Sequence, residues 1–109
     1  MMAVLVKSGE DIFKKVLDGI TYRIKAKSSN IVVIKSELDP KAETEEYTHE
    51  GEEVRIVLEG KIECKVGNIH YTMEAGDVIW HPSNIPHKMK NIGDRKAVYI
   101  TIGTPPTFI

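Results

Sequence analysis

The rhythm of apolar and polar residues changes once along this chain, near residue 21. Before it, Ser8, Gly9, Glu10 and Asp11 precede Ile12, Phe13, Val16 and Leu17, which share a helical stripe that Gly19 closes. A Ser N-cap, acids in the first turn and a Gly stop predict a short N-terminal helix, with a single turn in coil as the other reading. From residue 21 the period is two. Tyr22, Ile24 and Ala26 alternate with Arg23, Lys25 and Lys27, as in a half-buried strand. Residues 31–34 are continuous and β-branched, as in a strand covered on both sides.

Strand-like runs then follow at short intervals: 53–58, 61–66, 69–73, 78–81, 87–91 and 96–102. Between them lie Glu59-Gly60, Gly67-Asn68, Ala75-Gly76-Asp77, Pro82 to Pro86 with Asn84, and Gly93-Asp94, all turn chemistry. Short strands punctuated this way predict an all-β sandwich or barrel. We read 1–109 as one domain: an arm over 1–20, a barrel over 21–102 and a tail over 103–109.

Alternate residues of a strand share a face, which gives the polar residues their geometry. In 87–91, His87, Met89 and Asn91 share one face while Lys88 and Lys90 take the other. The lysines require water, so His87 is expected to point inward. Tyr47, His49 and Glu53 have one parity as well, and if Glu53 points inward, Arg55 and Val57 do too. Two imidazoles and a carboxylate form a ligand set used by non-haem iron, and also open to zinc, nickel or manganese. Arg55 is suited either to a bidentate grip on a ligand carboxylate or phosphate, or to a structural ion pair. Met89, Val57 and Tyr71 read as barrel lining or core, Trp80 as core or interface, and His70 as exposed. His81 stands just before Pro82, where it could line the rim, and is assigned no role in the site; Cys64 reads as packing. Val54, Ile56 and Leu58 form an apolar row on the opposite face of their strand, from which we expect a dimer.

Composition narrows the classes. The 109 residues suffice for one core; 41% are hydrophobic and 28% charged, ordinary for a globular chain. A formal net charge of -1 supplies no clustered positive face for direct contact with nucleic acid. No run is long and apolar enough to suggest a membrane span, and no secretory leader is evident. With Cys64 as the single cysteine, a cytoplasmic setting is expected.

His49, Glu53 after three residues and Gly60 after six more resemble the second His, the Glu and the Gly of the first motif of the cupin superfamily. Gly76, Pro82, Asn84, His87 and Asn91 match the spacing of its second motif, with Asn84 where a Gly is commonest. The resemblance covers residues 47–102. It implies a double-stranded β-helix, or jelly-roll barrel, with a metal-centred pocket in one mouth. The ligands it carries over are His49, Glu53 and His87. Tyr47 stands where the family usually has its first His, as a phenolic ligand or as a hydrogen-bond partner of whatever the site holds. A narrower similarity joins His49-Glu50-Gly51-Glu52-Glu53, Val57-Leu58-Glu59-Gly60 and Thr104-Pro105-Pro106-Thr107-Phe108 to the C-terminal sensor cupin of bacterial and archaeal helix-turn-helix regulators. The stretch before residue 21 is too short for such helices, so the sensor domain standing alone is the expectation.

Three readings follow. A divalent metal (iron, zinc, nickel or manganese) bound through His49, Glu53 and His87 would serve binding or sensing of a small polar or anionic molecule, with Arg55, Tyr47 and Met89 against that ligand. The same site would suit a metal-dependent dioxygenase, isomerase or decarboxylase. The plainest reading is a metal-free dimeric barrel with a structural role.

Overall fold

The computed structural model describes residues 2–107; Met1 and Phe108 of the C-terminal run lie outside the described residues. Nine strands follow in order: β1 (Phe13–Leu17), β2 (Ile20–Lys27), β3 (Val32–Leu38), β4 (Glu52–Glu59), β5 (Lys61–Val66), β6 (Ile69–Glu74), β7 (Val78–Pro82), β8 (His87–Asn91) and β9 (Ala97–Thr104). They form a six-stranded antiparallel sheet, β1-β2-β3-β9-β4-β7, facing a three-stranded one, β6-β5-β8. This is an all-β jelly roll: the all-β class follows the turn spacing, and the jelly-roll arrangement is the one the family resemblance implies. No helix occurs among the described residues.

The expected N-terminal helix is instead a hairpin. Leu17 pairs with Ile20 across Asp18-Gly19, whose φ values are 49° and 79°. Two consecutive left-handed residues make the tight turn that matches strand twist, and Asp-Gly is a preferred pair for it. Asp11, which resembles a helix-cap acid, binds across strands instead: Arg23 bridges Asp11 at 2.8 Å and Glu37 at 2.7 Å, and Lys25 reaches Asp11 at 2.8 Å. Sequence spacing offered Ile12, Phe13, Val16 and Leu17 as a buried stripe. Yet Phe13, Val16 and Leu17 are exposed, because β1 is an edge ribbon with little packed on either side.

Residues 31–34 also differ from expectation. Val32 and Ile34 are buried but Val33 is only half-buried, so β3 is covered fully on one face. In β6, Met73 is buried whereas Ile69 and Tyr71 are exposed, correcting Tyr71 as lining or core. The reason is position: β6 is an edge of the smaller sheet. Trp80 is 59% exposed and donates from Nε1 to Glu52 at 2.7 Å, so it is no core residue of the chain.

The inward faces divide the barrel. Ile20, Leu38, Val57, Ile62, Cys64, Met73, Met89, Ala97 and Tyr99 form the main apolar core, and burial of such side chains contributes about 1.5–3 kcal/mol each. Polar inward residues gather toward one end: Ser36, Glu53, Arg55, His81, Ser83, His87 and Thr101. Strand β4 makes the transition on one face, as Glu53, Arg55 and Val57 are all buried. Two glycines hold the frame. Gly51 has φ 103°, and a Cβ there would lie 2.0 Å from the Thr104 carbonyl oxygen; at Gly60, φ 84°, it would lie 2.9 Å from Ala97. No side chain fits at either turn, so the ends of β4 lie directly against β9.

Candidate metal centre

Three backbone placements bring the predicted ligands together. Glu53 is the second residue of β4, and His87 opens β8. His49 lies in the preceding loop, where its backbone N–H donates to Ser83 O at 3.0 Å. Tyr47 and His87 exchange two backbone hydrogen bonds, 2.9 and 3.0 Å, which ties that loop to the smaller sheet. His49, Glu53 and His87 thereby offer one ligand atom each, all within 4.8 Å of one another. The spacing fits a metal ion at their centre.

The imidazoles are oriented by carbonyl groups. His87 Nδ1 lies 2.8 Å from Ile85 O and His49 Nδ1 lies 3.2 Å from Glu50 O. A carbonyl only accepts, so these contacts place the proton on Nδ1 and leave the Nε2 lone pair pointing inward. His87 Nε2 is then 3.0 Å, and His49 Nε2 3.3 Å, from Glu53 Oε2. Lone pairs facing a carboxylate at such distances call for a cation between them, either a proton or a metal. His87 is 1% exposed, and its Nε2 has no hydrogen-bond partner among the described residues. An orphaned buried nitrogen aimed at a carboxylate fits a metal-ligand role well.

Glu53 is itself held as an anion. Its Oε1 accepts from Arg55 Nη2 at 2.8 Å and its Oε2 accepts from Ser83 Oγ at 2.9 Å. Burial pushes its pKa up, but a proton on His87 Nε2, the Arg55 charge and the Ser83 hydroxyl together outweigh burial and lower it to about 2 when no metal takes the place of that proton. The carboxylate is therefore ionised and its remaining lone pairs are available.

Above this cluster opens a cavity of about 180 Å³. It is smaller than the roughly 300–1,000 Å³ of pockets for drug-sized ligands. Arg55, Tyr47 and Met89 all line it, as does Lys15 from the β1 hairpin. Tyr47 hydrogen-bonds through its side chain with Tyr22, whose pKa is raised by burial and by its neighbours Tyr99 and Tyr47. Burial also pushes Tyr99 up to about 12, so the Tyr22 and Tyr99 phenols keep their protons.

His81 is the residue that sequence reasoning left unassigned. It is 3% exposed and packs its ring 4.7 Å from that of His87. Its Nδ1 lies 2.7 Å from Pro82 O, and its Nε2 meets Arg55 Nη1. Burial is the main cause holding its pKa below the ordinary value. Parity was the available signal, since His81 shares its strand face with half-buried Ile79 while Val78 and Trp80 point out. His70 is exposed and contacts Glu63 at 3.0 Å, well away from the site, as expected. Glu43 and Glu46 pair with Lys88 and Lys65 at 3.6 and 3.7 Å, a charged loop face and not ligands.

Two opposed antiparallel sheets with a His/Glu cluster in one mouth define a small jelly-roll barrel with a candidate metal site. The family model for the cupin domain matches residues 34–103, and the chain belongs to that family. An uncharacterized protein of Archaeoglobus fulgidus is 40% identical over 60 residues, a match covering 55% of this chain and 57% of that protein. The match thus spans little more than half the length of the curated relative. Among solved structures, KdgF from Halomonas sp. superposes with a TM-score of 0.87 at 18% identity, covering 98% of this chain and 97% of that one. The cupin domain of an XRE family transcriptional regulator from Enterobacter cloacae superposes at 0.75 with 18% identity, covering 81% and 98%. At these identities the structural likeness speaks for the fold.

Proposed function

We propose that the barrel mouth binds a divalent metal through His49 Nε2, Glu53 Oε2 and His87 Nε2, and holds a small anionic molecule beside it. The observation that carries this reading is the orphaned Nε2 of His87 facing the ionised Glu53. Iron, zinc, nickel and manganese all suit the donor set. A bound metal would supply Lewis acidity at positions that the protein leaves open. Arg55 is buried and lines the cavity, so its fixed positive charge favours a ligand carboxylate or phosphate there. Lys15 adds positive charge at the rim, and Tyr47 a phenolic donor. Binding or sensing is the role this arrangement supports best, with cytoplasmic location matching the free, buried Cys64.

A metal-dependent enzyme is the second reading, favoured by the same three-donor set, which leaves coordination positions for a substrate. Protein purified without an affinity tag and assayed for metal content separates these readings from a metal-free barrel. We expect about one metal per chain in the wild type and under a tenth of that in His87→Ala. Equal metal content in the two proteins would refute the site. Consumption of a bound small acid under air would move the conclusion from sensor to enzyme.

We also propose a homodimer through the outer face of the larger sheet. Across it Val54 pairs with Trp80 and Ile102, and Ile56 with Val78 and Ile100. Leu58, Val78 and Trp80 are exposed there, a contiguous apolar surface suited to a second copy. No helix among the described residues is long and apolar enough to cross a membrane. Neither nucleic acid nor a membrane is required by this reading.

A further inference from the structure

We propose that Arg55 acts as a lock that holds His81 out of the metal's coordination sphere, so that the barrel mouth carries a latent third imidazole. The inference rests on the metal reading above and concerns what sets the number of protein donors. His81 is prepared as a ligand in the same way as His49 and His87. Its Nδ1 lies against a backbone carbonyl, Pro82 O at 2.7 Å, which leaves the Nε2 lone pair facing the cluster. That nitrogen is 3.9 Å from Glu53 Oε2, and the ring lies 4.7 Å from the His87 ring. Yet His81 is absent from the set of ligand atoms that converge within 4.8 Å.

What occupies its lone pair is Arg55 Nη1. A guanidinium has donors only and stays charged, so it cannot exchange roles with the imidazole. One lone pair serves either the Arg N–H or a metal, never both. Arg55 is anchored for this task by its second nitrogen, Nη2, on Glu53 Oε1 at 2.8 Å, with its side chain 7% exposed. Its charge beside the carboxylate also opposes a cation there. Both effects hold the site to two His and one Glu and keep positions open for a small ligand. Removal of Arg55 is expected to recruit His81 and to close one of those positions.

The test is a Co²⁺ titration, followed by the visible d–d spectrum, of wild type, Arg55→Met, His81→Gln and the double variant. Methionine keeps length without the donor or the charge. We expect Arg55→Met to bind Co²⁺ about 10- to 100-fold more tightly with an altered spectrum, the scale on which outer groups tune metal sites. The double variant should lose the spectral change and most of the gain, which separates the imidazole from the charge effect. A gain that survives in the double variant would show charge alone and overturn the lock. Loss of more than tenfold in His81→Gln with the fold intact would overturn it too, since His81 would already be a ligand. Should Arg55→Met not fold, nitrogen-15 spectra of wild-type imidazoles decide: on adding Zn²⁺, Nε2 of His49 and His87 should shift to the metal-bound range while His81 does not. A metal-bound His81 in that spectrum refutes the lock but leaves the metal site standing. No binding of Co²⁺ or Zn²⁺ by wild type or any variant refutes the metal reading and the lock together.

Discussion

Replacement of Glu53 by Gln tests the electrostatics of the barrel mouth most directly. The carboxylate is 2% exposed, held without metal by protonated His87, Arg55 and Ser83, and its pKa falls from 4.5 to about 2. That difference is worth about 3 kcal/mol in favour of the ionised folded form, at about 1.4 kcal/mol per tenfold. Gln reproduces the neutral acid, so the metal-free variant should lose about 3 kcal/mol at pH 7. Uncompensated burial of the Arg55 charge leads independently to a cost of about 3–5 kcal/mol. For a domain of this size, the loss corresponds to a Tm lower by roughly 10–20 °C. The sign of the pH dependence follows from the lowered pKa. The wild-type advantage is fully present above the unfolded value of 4.5 and declines as pH falls through it toward about 2. Urea denaturation of both proteins in chelator, at pH 7 and at intervals down to pH 3, measures this. Stabilities within 0.5 kcal/mol at pH 7 would refute the reasoning, as would a gap that widens on acidification.

Other perturbations probe the frame and the surface. Gly51→Ala should lower stability by about 2 kcal/mol or more, since its Cβ meets the Thr104 carbonyl at 2.0 Å and its φ is 103°; thermal unfolding checks it, and a neutral result would contradict the close approach. Cys64 is fully buried and burial pushes its thiol pKa up, so a thiol reagent should label it only after unfolding; rapid labelling of the native protein would contradict that. Ile56→Asp, on the outer face between Val78 and Ile100, should give a monomer by light scattering where the wild type is a dimer. A wild type that is monomeric at high concentration would remove that interface.

Much of this molecule is legible from period and parity. Val57, Arg55 and Glu53 share one face of β4, and His87, Met89 and Asn91 one face of β8, as alternation requires. The turns at Gly60 and Gly67 fall where glycine stands in the sequence, both at positive φ. Parity turned Glu53 and His87 inward, whereas the convergence of His49 with them was readable from the family resemblance, because His49 lies in a loop that no strand face fixes.

What period and parity leave open is which faces receive a cover. Residues 12–17 satisfy a helical stripe in isolation; pairing of Leu17 with Ile20 across Asp18-Gly19 made them a strand, since neighbouring β2 already offered an edge. Tyr71 has the parity of buried Met73 yet is 41% exposed, because edge strand β6 lacks a neighbour on one side. His81 illustrates the reverse. Its burial against Arg55 exists only because β7 pairs with β4 in a register that sets His81 opposite Glu53. Local sequence determines where a side chain points along its own strand. The other side chains that it meets there are decided by strands distant in the chain, through packing that no local pattern encodes.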